Sequence, residues 1–170
     1  MVDKALYSSA TVEWGTPDWL FRALDVEFSF TLDPCSTHEN AKCKLHYTIE
    51  EDGLQQDWRE HRVFMNPPYG VRIGDWMRKA YESAKNGATV VCLVPVRSDT
   101  KWWHDYVHKG EIRLLCGRLK FEGGEHSAPF PSAIVVFRPP QYAIAAATIK
   151  VPGNRETAQP EKPSKDRRRK

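Results

Sequence analysis

Val63-Phe64-Met65-Asn66-Pro67-Pro68-Tyr69-Gly70 is the stretch from which the fold of this chain is read. Three apolar residues make a short strand, and two prolines, which cannot donate to a ladder, end it at Asn66. Downstream, Ile73, Trp76, Met77, Ala80, Tyr81 and Ala84 recur at helical period, with Gly87 as the stop. Thr89-Val90-Val91-Cys92-Leu93-Val94 is then the plainest buried strand of the chain, closed by Pro95. A helix is predicted over 100–108, followed by strands at 111–115, 117–121 and 132–138, the last two joined by the loop 122–131. Upstream, Thr16 can cap and Pro17 can open a short helix that carries Trp19, Leu20, Ala23 and Leu24 on one stripe. Phe28-Ser29-Phe30-Thr31-Leu32 alternates as a strand ending at Asp33-Pro34, and 35–58 is polar and irregular with a turn at Asp52-Gly53. Helix and strand alternating, then closing in an antiparallel strand pair, is the order of an α/β sheet. Ligands bind at the carboxyl ends of strands in such sheets. Asp33, Asn66 and Pro95 are therefore the candidate floor of a site.

A chain of 170 residues, 41% hydrophobic and 11% aromatic, fits one domain with a real core. The expected division is an N-terminal arm over 1–12, one domain over 13–140 and a basic, disordered tail over 141–170. Seven Lys/Arg against three Asp/Glu lie in 151–170, a net +4 within an overall +3, so 1–150 carries −1. The folded part is not a bulk polycation, and any nucleic-acid binding by it must use a local patch. There is no apolar run long enough to span a membrane, and 1–10 lacks the pattern of a signal peptide, which reads as cytoplasmic. Cys35, Cys43, Cys92 and Cys116 read as thiols in that compartment. Cys35, His38, Cys43 and His46 offer four possible zinc ligands, but their order and spacing do not match the common zinc patterns, and no metal is assigned.

Asn66-Pro67-Pro68-Tyr69, between a strand and a Gly-led helix, resembles the Asn/Asp-Pro-Pro-Tyr/Phe motif of amino-methyltransferases. The chemistry accounts for each residue. An adenine amino group is a poor nucleophile because its lone pair is delocalised into the ring. Two acceptors on its N–H bonds favour a pyramidal nitrogen and free that pair. The Asn66 side-chain oxygen can be one acceptor and the Pro67 carbonyl the other, while Pro67 and Pro68 stiffen the backbone that aims them. Tyr69 can stack on a base taken out of a duplex. A rigid turn with a packed tyrosine is the bland alternative.

Further matches extend the likeness: Thr16-Pro17, Leu32-Asp33-Pro34-Cys35, Asn40-Ala41, Asp52-Gly53-Leu54, Leu93-Val94-Pro95 and Gly117-Arg118-Leu119-Lys120-Phe121. With the Asn66 motif, this run resembles the phage-type DNA N-6-adenine methyltransferase (Dam-like) family over roughly 12–138. The resemblance implies S-adenosylmethionine as cofactor, DNA as substrate, and a phage or prophage setting in a bacterial host. It also implies a trimmed Rossmann-like class I methyltransferase sheet with a C-terminal antiparallel strand pair. About thirty residues separate Asp33 from Asn66, too few for a full strand–helix–strand–helix insert, so the cofactor half is shortened.

Carried over residue by residue, Thr16 and Pro17 would fold over the cofactor carboxylate. Asp33, Pro34 and Cys35 would form the turn that begins its pocket. Asp57 and Trp58 would flank its adenine, with a surface acid and a core indole as the alternative, and an acid among Glu50, Glu51 and Asp52 would hold its ribose. Arg97 and Lys101, just past the Pro95 strand end, are candidates for DNA phosphates, and Phe130 for a second face around the target base. Solvated charges and a hairpin-packing aromatic are the alternatives there. The expected partner is DNA, with no membrane, and the chain is expected to act as a monomer. Methylation of RNA or a protein glutamine, or a silent nucleic-acid-binding module, are the competing functions.

Overall fold

The computed structural model of the protein describes residues 14–142. The arm expected over 1–12 and the tail from 143 onward lie outside the described residues. Four strands form one open sheet: β1 (Arg62–Met65), β2 (Thr89–Pro95), β3 (Glu111–Leu114) and β4 (Ser132–Phe137), in the order β1-β2-β4-β3. β1 and β2 run parallel, and β4 runs antiparallel to both β2 and β3. Leu32 adds a single parallel bridge to Val63 beyond β1. The helices are α1 (Asp18–Phe28), α2 (Ile73–Lys85) and the short α3 (Lys101–Asp105).

Because side chains alternate along a strand, the sheet divides the core in two. Val63, Met65, Val90, Cys92, Val94, Val135 and Phe137 face α2 and α3, where Trp76, Met77, Ala80 and Trp103 pack on them. Phe64, Val91, Leu93, Ile134 and Val136 face the other way, onto Leu20, Leu24 and Phe28 of α1 and onto Leu119, Phe121 and Phe130 of the chain between β3 and β4. Burial on both faces explains why β2 reads as an unbroken apolar run rather than an alternating one.

Three expectations are corrected. Phe28 does not begin a strand; it ends α1, stopped by Ser29 at φ 50, and only Leu32 reaches the sheet. Phe28 lies four residues after Leu24 and eight after Leu20, so the helical stripe takes it, while Phe30 and Leu32 happen to continue an alternating pattern. The segment 117–121 is not a strand either. Both edges of β4 are occupied, by β2 and β3, and the antiparallel pair is β3–β4 instead. Leu119 and Phe121 alternate because both plug into the α1-side core. The helix over 100–108 is α3 followed by a 3-10 turn, Val107–Lys109.

Candidate functional site

The parallel strands bring three chain ends to one edge of the sheet. Leu32 is level with Val63 and Met65 with Cys92, so Asp33, Asn66 and the Pro95–Arg97 segment leave the sheet side by side. The reversed β4 adds its start to the same edge, since Pro95 pairs with Ser132 and the Val96 N–H donates to the Pro131 carbonyl.

Asn66 stands in the middle of this edge. Its side-chain Nδ2 donates to the Trp14 carbonyl and, at 2.9 Å, to Thr16 Oγ1. Its Oδ1 is buried and has no hydrogen-bond partner among the described residues. A buried, unpaired acceptor costs stability; among the described residues Ser36 Oγ and Ser132 Oγ are the other buried side-chain polar atoms without a partner. Thr16 therefore does not cap α1 through its side chain. Pro17 holds the N-cap position, and its carbonyl accepts from the Leu20 and Phe21 N–H groups.

The rest of the motif is rigid. Pro67 is buried, and the Gly70 N–H donates to the Pro68 carbonyl to close a turn. The Tyr69 hydroxyl donates to the Leu93 carbonyl at 3.3 Å, and burial pushes its ionisation well above the usual phenol range. Its ring meets Phe130 at 5.7 Å and Phe121 at 6.1 Å, both edge-on. Trp14 packs on the same two phenylalanines, at 5.1 and 5.3 Å. Trp14, Tyr69, Phe121 and Phe130 thus form an aromatic group tied to Asn66 through the Trp14 carbonyl. Sequence reasoning did not assign Trp14 or Phe121 to this site. Their signal was there, in the Thr16-Pro17 neighbourhood and in the Gly117–Phe121 match, but was read as a cofactor strap and a strand.

On the cofactor side, Asp33 is 4% exposed, and burial raises its pKa. The backbone N–H groups of Lys42 (3.0 Å) and Cys35 (3.4 Å) pull the other way, donating to its carboxylate. Asp33 thereby closes the loop that follows it. Pro34 is buried, and the carbonyl of Pro34 lies where a Cβ on Gly53 would stand, 1.9 Å away. Only glycine lets the 52–54 turn approach that closely, which sets Asp52 beside the Asp33–Cys35 turn. Burial holds the Cys35 thiol protonated, with Asp33 adding to the effect and the Asn66 backbone N–H opposing it. The Ser36 Oγ, next along, is buried without a partner. Asp52 has φ 48 and accepts from the Leu54 N–H, and Glu51 accepts from Thr48.

Asp57 and Trp58 sit elsewhere. Asp57 is exposed and bonded to Arg59, which holds its carboxyl at about 2. Trp58 is 1% exposed, stacks on Trp76 at 6.2 Å, carries Lys79 over its ring and donates from Nε1 to the Gly53 carbonyl. That leaves the indole no open face for a ligand. Arg97 is exposed, with its guanidinium 5.6 Å from the Phe130 ring, so it stands at the rim of the aromatic group. Lys101 is turned to Asp105 in an exposed ion pair on α3. Phe130 is 7% exposed, within the aromatic group. His38 and His46 face each other at 2.9 Å, and among the described residues no three His, Cys, Asp or Glu side chains converge as metal ligands. No helix among the described residues is long and apolar enough to cross a membrane.

Comparison with known proteins gives the same direction. The profile of the DNA N-6-adenine-methyltransferase (Dam) family matches residues 5–152. A DNA N-6-adenine-methyltransferase of Haemophilus phage HP1 is 32% identical over 135 residues, covering 74% of this chain and 78% of the relative. YfdM of Escherichia coli K12, provisionally named a methyltransferase, is 39% identical over 64 residues, covering 34% of this chain and 70% of that protein.

Proposed function

Since the chain belongs to the DNA N-6-adenine-methyltransferase (Dam) family, whose reaction is methyl transfer to adenine in DNA, we propose that the edge around Asn66 is where this transfer occurs. The observation that carries the assignment is the Asn66 amide. Its nitrogen is held by Trp14 and Thr16, and its oxygen is a buried acceptor with no partner. An adenine N6–H arriving there would satisfy it. Among the described residues no donor bonds the Pro67 carbonyl, and we assign that oxygen to the second N–H. Two acceptors fixed in place before the substrate arrives favour the pyramidal nitrogen without reorganising during reaction.

The target base has to leave the duplex to reach this edge. Tyr69 and Phe130 would flank it, Pro68 would keep Tyr69 in register, and Arg97 at the rim would hold a phosphate. We do not extend that role to Lys101, whose charge is already paired with Asp105.

The methyl donor we propose is S-adenosylmethionine. The residues fit it on one observation: the Ser36 hydroxyl, beside the Asp33–Cys35 turn, is a buried polar atom lacking a partner, which a cofactor donor or acceptor would supply. When bound, the cofactor supplies an electrophilic methyl group on a sulfonium centre. Asp33, Pro34 and Cys35 would shape the wall of its site, and Asp52, brought alongside by Gly53, is the acid we choose for its ribose. Asp33 acts here by holding its own loop closed. In this reading the finer fold is a trimmed Rossmann-like class I sheet, the domain is 13–140, and the basic tail adds nonspecific attraction to DNA.

The test uses purified protein, unmethylated DNA and methyl-labelled S-adenosylmethionine, with digestion to nucleosides. Label is expected in N6-methyladenine and lost with Asn66→Ala. Label that persists in Asn66→Ala would move the catalytic assignment away from this edge. Label found only in RNA or protein would move the substrate.

A further inference from the structure

We propose that the Trp14–Thr16 segment is a clamp that aims the Asn66 amide, and that Thr16 is a positioning residue for methyl transfer rather than a cofactor ligand. The proposal rests on the reading of Asn66 as the residue that receives the target amine.

A side-chain amide can rotate by half a turn and exchange its oxygen for its nitrogen. What decides the orientation is the company it keeps. The Trp14 carbonyl can only accept, so the end of the amide that faces it must be the NH2 group. Turning the amide over would set two acceptor oxygens against each other. Thr16 Oγ1 takes the second N–H at 2.9 Å. With both protons engaged, Oδ1 is left free and pointed away from the clamp, where the substrate amine can be received.

The clamp is itself held. Gly15 forms an antiparallel bridge with Glu122, whose N–H donates to the Gly15 carbonyl at 2.8 Å. Lys42 reaches both Asp18 (2.7 Å) and Glu122 (3.1 Å), joining the loop after Asp33, the start of α1 and the chain beyond Phe121. Thr16 is 4% exposed, with its hydroxyl turned inward to Asn66.

The experiment compares wild-type protein with Thr16→Val, which keeps the shape and removes the hydroxyl, and with Thr16→Ser, which keeps the hydroxyl. For Thr16→Val, kcat is expected to fall about tenfold, the size of one lost hydrogen bond at the residue that receives the amine. KM for DNA and for S-adenosylmethionine should stay within about twofold, the pattern of an interaction that acts in the transition state. Thr16→Ser should restore most of kcat. An unchanged kcat in Thr16→Val overturns the proposal. So does an equal fall in Thr16→Ser, which would mean packing, or a loss confined to KM for the cofactor, which would mean a ligand role. A measurement on the wild type alone is independent of how well Thr16→Val folds. Both Asn66 side-chain amide protons should exchange slowly with solvent, and fast exchange of both would also overturn it. Wild-type protein that puts no label into adenine fails the reading of Asn66 itself; active wild type with an indifferent Thr16→Val fails the clamp alone.

Discussion

Gly53 lets the 52–54 turn lie directly against Pro34. A Cβ there would stand 1.9 Å from the Pro34 carbonyl oxygen and 2.9 Å from its carbonyl carbon, both backbone atoms that cannot swing aside. Gly53→Ala is therefore expected to cost about 1–3 kcal/mol, as overpacking does, and to lower Tm by several degrees. Cofactor affinity should fall with it, because the Asp33–Cys35 turn is what must give way. A thermal scan and a cofactor titration check both; an unchanged Tm would show that the two turns are not in close contact. At this scale, the strand end and turn at Asn66, Pro67 and Tyr69 were legible in the sequence because a short motif is its own context. Thr16 was legible as important but not for its actual contact, since the hydrogen bond to Asn66 joins residues fifty positions apart. Trp58 stayed open between a ligand face and the core because an aromatic after an acid looks the same in either place, and only the fold sets it against Trp76.

Helix α1 is fastened to the far side of the sheet by charge. Arg113 of β3 donates to both Glu27 carboxylate oxygens, at 2.6 and 2.7 Å, and from Nε to Glu111. Arg138 also pairs with Glu111, and both guanidiniums lie over the Phe28 ring at 5.5 and 5.6 Å. The bidentate bond from Arg113 holds the Glu27 carboxyl below its ordinary range. A carboxylate depressed in the folded state contributes stability above its unfolded pKa, and that contribution is lost as pH falls through the folded value. Glu27→Gln should thus be less stable than wild type near neutrality, and the two Tm curves should converge below about pH 4. The groups are partly exposed, so the difference near neutrality should be under about 1 kcal/mol; a gap that stays constant with pH would contradict it. The elements themselves were legible where one pattern dominated, as in α2 and β2. They were not where two periods fitted the same residues. Phe28, Phe30 and Leu32 alternate, yet Phe28 also completes the Leu20 and Leu24 stripe, and helix packing won. Residues 117–121 alternate too, but strand pairing needs a free edge, and β4 had none left to offer.

Across the whole chain, charge is unevenly placed. Residues 1–150 carry −1 and 151–170 carry +4. Truncation after Pro152 should weaken DNA binding at low salt, flatten its salt dependence and leave turnover of saturated enzyme near wild type. A large loss of kcat would mean that the tail acts in catalysis. This uneven charge is legible from composition alone, whereas the joining of Asp33, Asn66 and Phe130 at one edge depended on strand order, which no local stretch encodes. The strand order has one more outcome. Among the described residues β3 is an end of the sheet, four residues long, with no strand on its outer side and Leu114 largely uncovered. Such an end invites another molecule to add its own strand, the first step toward aggregation. That end carries Glu111 and Arg113, paired with Arg138 and Glu27, and charged side chains on an edge strand discourage such pairing. The same charges that pin α1 to the sheet therefore act as gatekeepers, and weakening them should show itself as lost solubility before it shows as lost fold.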